Sequence, residues 1–136
     1  MNNTRRTVIK TTSALGTLVA LGLITTQQAH AAVDRAAFEV KSLADAMKAI
    51  GGTAATSDQV SVVSPDIAEN GAVVPVGATS NLPNTTEIYL LVEKNPTPLA
   101  AGFIVPAGTE ASVQTRLKMG QSTNVVAVVK ADGKLF

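Results

Sequence analysis

Short β-prone runs separated by turn residues fill the sequence from Val60 onward, and this alternation limits the possible fold more than any other feature. Proline, glycine and asparagine interrupt the runs at intervals of roughly 8 to 12 residues. Such spacing predicts an all-β fold, an immunoglobulin-like antiparallel β-sandwich. The chain has no cysteine and no tryptophan, so it lacks the core pattern of true immunoglobulin domains. The predicted strands cover residues 60–63, 72–79, 86–94, 99–105, 111–119 and 123–130.

The residue pattern inside the runs predicts how each strand is buried and how it turns. Residues 86–94 are largely apolar at both parities, so both faces of that strand should be buried. Residues 111–119 alternate between apolar and polar side chains, which predicts one core face and one wet face. Pro75 lacks a backbone N–H and predicts an edge or a bulge in the second strand. Asn70-Gly71 predicts a turn with positive φ, and Asp132-Gly133 predicts a type I′ hairpin turn.

One helix should precede the sandwich. Apolar residues recur at helical spacing within residues 32–50, with Asp34 placed to cap the start and Gly51-Gly52 to end the helix. We expect this stripe to lie across one end of its own domain, although it could instead meet a partner. The stripe residues are Val40, Leu43, Met47 and Ile50.

The first 31 residues have the composition of a secretory signal peptide. A basic start, an uncharged and mostly apolar stretch and a small-residue site predict cleavage after Ala31, which leaves residues 32–136 as the domain. The apolar stretch is shorter than the roughly 18 to 20 residues that span a membrane, which argues against a membrane anchor. A general secretory signal also carries basic residues. Adjacent Arg5 and Arg6, with two apolar residues and a lysine after them, nevertheless resemble the twin-arginine export signal and predict a periplasmic protein.

The residue types that are missing exclude several function classes. The chain has no cysteine, and its single histidine, His30, lies in the predicted signal. Residues 32–136 therefore offer no imidazole or thiolate metal site, no Ser-His triad and no cysteine nucleophile. All ten acids follow the signal, which holds three of the eleven bases, so no basic patch argues for nucleic acid. We expect a protein without a cofactor that is not an enzyme.

A few polar residues suggest sharper roles, but none is assigned a catalytic, cofactor or metal site. Asp66 and Glu69 lie three apart in a predicted loop and could supply oxygen ligands to calcium, although such loop acids are commonly solvated or act as caps. Arg116 and Lys118 fall on the predicted wet face, where they either meet solvent or contact a partner subunit. Tyr89 is interpreted as a core or rim aromatic residue.

Six segments in the predicted domain have distinctive sequences: 64–76 (SPDIAENGAVVPV), 88–96 (IYLLVEKNP), 99–103 (LAAGF), 116–120 (RLKMG), 123–129 (TNVVAVV) and 132–136 (DGKLF). Together with the twin-arginine leader and the short helix, they resemble in order the SoxY family, the sulfur-carrier subunit of the Sox thiosulfate-oxidation system. The resemblance implies an immunoglobulin-like sandwich that pairs with a SoxZ-type subunit. It also implies a flexible C-terminal arm whose glycine-flanked cysteine carries sulfur between periplasmic Sox enzymes, so that the subunit is a carrier and not a catalyst.

The decisive residue of that family has no counterpart in this sequence. No position matches the carrier cysteine, so no functional residue can be transferred. The predicted hairpin at Asp132-Gly133 has a returning arm of only three residues, whereas a hairpin needs two arms. We therefore expect the chain to be incomplete at its C-terminus. The alternatives are a relative that lacks the arm, or an exported β-sandwich adaptor without a covalent role.

Overall fold

Seven strands form two antiparallel sheets in residues 35–136, the part of the chain that this computed structural model describes. Helix α1 (Leu43–Ile50) precedes them. The strands are β1 (Val60–Val63), β2 (Val74–Ser80), β3 (Thr85–Val92), β4 (Leu99–Ile104), β5 (Ser112–Leu117), β6 (Val125–Ala131) and β7 (Lys134–Leu135). The predicted strands are confirmed, with ends that differ by up to two residues.

The two sheets pack face to face. The first has the order β1-β2-β5 and the second the order β4-β3-β6-β7, and every neighbouring pair is antiparallel. β1 contacts β6 across the sandwich, so these two strands lie on the same side of the molecule. The prediction of an all-β, immunoglobulin-like antiparallel sandwich with a short preceding helix is confirmed.

The main core lies between the sheets. Strands β2, β3, β5 and β6 supply most of its buried residues, because successive side chains of a strand point to opposite faces. Fully burying one such aliphatic side chain contributes about 1.5 to 3 kcal/mol, so this layer is the main source of stability. The core consists of Val74, Val76, Ala78, Ile88, Leu90, Val92, Val105, Leu117 and Val129.

A second apolar cluster covers the outer face of the β4-β3-β6-β7 sheet. Tyr89 and Leu91 of β3 point outward and pack beneath α1, which confirms that both faces of this strand are buried. The helical stripe therefore packs on its own domain, as expected, but it covers a sheet face and not one end of the sandwich. The cluster consists of Ala37, Ala46, Ile50, Tyr89, Leu91, Leu99, Val128 and Leu135.

The predicted helix over 32–50 is interrupted: residues 35–37 are helical, residues 38–42 are not, and α1 forms only its last part. Ser42 is extended, its Oγ accepts the N–H of Asp45 at 3.1 Å, and it donates to the Asp45 carboxylate at 2.7 Å. This capping arrangement begins the helix at Leu43. Gly51 ends it with φ of 137°, as predicted, whereas the proposed cap Asp34 lies outside the described residues. Within residues 35–136, no helix is long and apolar enough to cross a membrane.

Two of the predicted turn and edge features are confirmed. Asp132 and Gly133 have φ of 51° and 74°, as a type I′ turn requires, and they join β6 to β7. Pro75 lies in the central strand of its sheet, but at a position where that strand has no neighbour on the β1 side. Ser80 donates its N–H to Ala111 on the β5 side, so by alternation Pro75 directs its donor-free nitrogen toward β1, which has already ended at Val63.

Candidate functional site

Two loops meet at one end of the sandwich. The β1–β2 loop (residues 64–73) is joined to the β5–β6 loop (residues 118–124) by a bond from Met119 N–H to the carbonyl of Gly71, at 2.7 Å. Asn70 shapes the first loop because its side-chain oxygen accepts the N–H of Ala72 at 2.9 Å. The predicted positive φ at Asn70-Gly71 is wrong, since neither residue has one. Gly71 is needed for close approach instead: a Cβ there would lie 2.8 Å from the Met119 carbonyl oxygen.

A cleft of about 440 Å³ lies between these loops. Its inner wall is apolar and its rim carries hydroxyl and amide groups, with Asp66 as the only carboxylate among its lining residues. A pocket of this size can hold a small ligand or a chain segment. Its lining offers no histidine, cysteine or basic side chain, so it can shelter a group but supplies no nucleophile–base pair. The polar rim includes Ser64, Gln121, Ser122 and Thr123, and the apolar wall includes Val74, Met119 and Val125.

The edge of β6 leads into this cleft. Phe136 and Val129 exchange two backbone hydrogen bonds, at 2.9 and 2.8 Å, which extends the β6–β7 ladder past Leu135. By the alternation of antiparallel strands, Ala127 and Val125 present their backbone groups on the same edge as Val129. No described residue pairs with β6 on that edge beyond Phe136. Since Val125 also lines the cleft, a strand paired along this edge would run toward it.

The structure separates the polar residues that the sequence singled out. Asp66 lines the cleft, whereas Glu69 is exposed outside it, and the described residues contain no group of three or more potential metal ligands. Arg116 and Lys118 are exposed near the end of β5, which confirms the wet face. Contact of these two with a partner stays a prediction.

Tyr89 belongs to a small polar group at the margin of the outer cluster. It is 6% exposed, and its hydroxyl donates to the Glu87 carboxylate, which also lies 3.6 Å from the Lys130 ammonium. Gly102 makes room for the Tyr89 ring, because a Cβ there would lie 3.1 Å from two ring atoms. The interpretation of Tyr89 as a core aromatic is therefore confirmed.

The predicted signal residues Arg5 and Arg6 lie outside the described residues, and their export role stays a prediction.

Sequence reasoning did not find the cleft. Its two loops are 48 residues apart between Gly71 and Met119, and only the fold brings them together. The distinctive segment 64–76 was the available signal, since it supplies one wall of the cleft.

Comparison with known proteins identifies the family. Residues 46–136 match the model of the family described as sulfur oxidation protein SoxY. The chain belongs to the SoxY family. The match begins inside α1 and covers the whole sandwich, so the resemblance carried by the six segments is confirmed.

A solved structure supports the same assignment. The sulfur carrier protein SoxY from Chlorobium limicola f thiosulfatophilum is similar to this chain, with 36% sequence identity and a TM-score of 0.63. The similarity covers 74% of this chain and 89% of that chain. No curated protein sequence matches the chain.

Proposed function

We propose that this chain provides the folded domain of a periplasmic sulfur carrier in thiosulfate oxidation. One observation carries the proposal: a protein described as a sulfur carrier shares 36% identity with this chain over 89% of its own length. A carrier needs a nucleophilic thiol on a flexible tether, and the domain that bears the tether needs no catalytic pair of its own.

The sulfur would be held on a cysteine outside residues 1–136, because these residues contain none. We place that cysteine on a segment that continues β7 along the free edge of β6. Ala127 and Val125 supply the next bonding positions on this edge, so the tether would leave the sandwich close to the end cleft.

The proposal includes export and a partner. Arg5 and Arg6 would direct the folded protein through the twin-arginine pathway, and a SoxZ-type subunit would bind the sandwich. Replacing both arginines by lysine keeps the charge but removes the guanidinium pair. We expect the double variant to remain in the cytoplasm, as measured by immunoblotting of cell fractions. Export at the wild-type level would exclude the twin-arginine route.

The carrier chemistry has a direct test. The coding DNA beyond the codon for Phe136 should continue in frame to a cysteine flanked by glycines. The complete protein, incubated with thiosulfate, the other Sox enzymes and an acceptor for the two electrons released when the thiol and thiosulfate join, should then gain a covalent sulfur adduct. Intact-mass spectrometry detects this adduct, and a reductant removes it. The cysteine-free chain of 136 residues is the control and should gain no mass. An unmodified cysteine in the complete protein would contradict the carrier role.

A second candidate is an exported adaptor that binds a partner without covalent chemistry. It is favoured by the packing of β7, because Leu135 is only 8% exposed and already fills the outer cluster beneath α1. A stop codon directly after Phe136, together with partner binding by the cysteine-free chain, would select the adaptor over the carrier.

A further inference from the structure

Strand β1 exposes apolar side chains on both of its faces. Val63 is 67% exposed on the outer face, and Val62 is 39% exposed although its side chain faces the sandwich. Ile67, in the loop that follows, is 86% exposed. Edge strands normally carry charges, prolines or covering elements that prevent pairing with another chain. With apolar side chains exposed on both faces and no charged residue, β1 lacks these protections and is a candidate interaction edge.

The backbone of β1 is also available for pairing. Asn81 donates its N–H to the carbonyl of Gln59 at 2.8 Å, so the odd-numbered residues of β1 bond to β2. The N–H and C=O of Val62 therefore point away from the sheet, and no described residue bonds to them. A free donor and acceptor beside the exposed Val63 form a template on which an extended segment can add as a further strand.

The charges around β1 specify what could bind. No charged residue occurs between Asp58 and Asp66, which lie just before and just after the strand. Neither acid forms an ion pair in the described part of the chain, and neither does Glu69 in the following loop. An apolar strip with unpaired acids at both ends is complementary to a strand that is apolar in its middle and basic at its ends.

The other edges are less suited to such pairing. Arg116 lies in β5 and Lys118 directly follows it, and Pro98 and Pro106 flank β4. Charged residues and prolines oppose the addition of another strand. Among the strand edges in residues 35–136, the uncharged ones are thus β1, β4 and the free edge of β6 at residues 125–129, which is assigned above to the segment after β7. Only β1 has an acid within three residues of each end.

We propose that β1 is the docking edge for an extended strand of a partner protein, apolar in the middle and basic at its ends. This inference rests on the proposed function, because the SoxZ-type subunit is taken as the protein that supplies the strand. The added strand would bond to Val62, cover Val63 and Ile67, and pair its basic ends with Asp58 and Asp66.

Matched lysine substitutions on two edge strands test the inference. Val63→Lys places a charge in the docking edge, and Ile104→Lys places the same charge at a position of nearly equal exposure, 65%, on β4. Both sites are exposed, so circular dichroism melting should show that each variant folds. With the purified SoxZ-type subunit, isothermal titration calorimetry should show a Kd raised about tenfold or more by Val63→Lys and less than about twofold by Ile104→Lys. Asp66→Lys should lower the association rate and its dependence on salt.

The outcomes separate the inference from the proposed function. If the wild-type chain binds the subunit and Val63→Lys binds equally well, the docking edge is wrong and the partnership stands. If the wild-type chain does not bind the subunit, both the partner and this edge assignment fail, whereas the sulfur adduct test still decides the carrier role. If Val63→Lys instead abolishes self-association of the chain, the occupant is a second copy and the inference is overturned. If the added strand bonds to Val62, the Val62 amide should exchange its hydrogen more slowly in the complex than in the free chain.

Discussion

Replacing Gly71 by alanine should destabilise the end of the sandwich at which the two loops meet. The new Cβ would lie 2.8 Å from the carbonyl oxygen of Met119, which is backbone and cannot rotate away. The loops must therefore separate, and the 2.7 Å bond from Met119 N–H to Gly71 C=O is stretched or lost. Overpacking costs about 1 to 3 kcal/mol, and a lost hydrogen bond costs about 1 kcal/mol. We expect the free energy of unfolding to fall by about 2 to 4 kcal/mol.

Urea unfolding followed by far-ultraviolet circular dichroism measures this loss. Thermal melting gives a second measure: for a domain of this size, a loss of 2 kcal/mol should lower Tm by about 8 to 16 °C. Gly120→Ala is the matched control: Gly120 lines the same cleft, but a Cβ there meets nothing within 4 Å. The control should stay within about 0.5 kcal/mol of the wild type.

A second variant separates close approach from backbone conformation as the reason for a glycine at position 71. Asparagine tolerates positive φ better than alanine does, so it would be the milder substitution if the turn needed that conformation. Because φ of Gly71 is not positive and the obstacle is the Cβ itself, Gly71→Asn should be at least as destabilising as Gly71→Ala. Unfolding midpoints for both variants that match the Gly120→Ala control would refute the reasoning.

Three further substitutions test the packing around the sandwich. Gly102→Ala would bring a Cβ to 3.1 Å from the packed ring of Tyr89, so we expect a loss of about 1 to 2 kcal/mol in thermal melting; an unchanged Tm would show that the ring has room to move. Ser42→Ala removes the acceptor for the Asp45 N–H and should cost about 1 kcal/mol in urea unfolding, whereas no loss would mean that α1 does not depend on this cap. Leu90→Ala leaves a cavity between the sheets at a fully buried position and should cost about 2 to 5 kcal/mol; a smaller loss would indicate that the core collapses around it.

The strands could be predicted from the sequence because their burial follows the two-residue period of a strand. β5 buries Leu117 and exposes Arg116, as the alternation of its side chains requires. β3 is apolar at both parities because one face meets the core and the other meets α1. The Asp132-Gly133 turn was equally readable, since positive φ at both positions is a local requirement that these two residues satisfy.

Sequence reasoning missed the break before α1 and the cleft, for different physical reasons. The apolar stripe gives the face of a helix but not its first residue, which here depends on a bond between Ser42 and Asp45. A capping search three residues apart would have found it. The role of Gly71 depends on Met119, which lies far along the chain, so no local pattern contains it. The export role of Arg5 and Arg6 remains a prediction from the sequence alone.

The prolines of the segment 64–76 explain how a stretch without reactive groups shapes both candidate interaction sites. Val63 pairs with Gly77, and continuing this register would place Pro65 opposite Pro75. By the alternation along β2, that next position would be a hydrogen-bonded pair, yet neither proline has an N–H to donate. The β1–β2 ladder must therefore end at Val63. The chain then leaves the sheet, Gly71 reaches Met119, and the end cleft forms beside a short β1 whose outer edge stays open. The segment therefore shapes both sites by ending the pairing of β1 with β2, and not through reactive groups of its own.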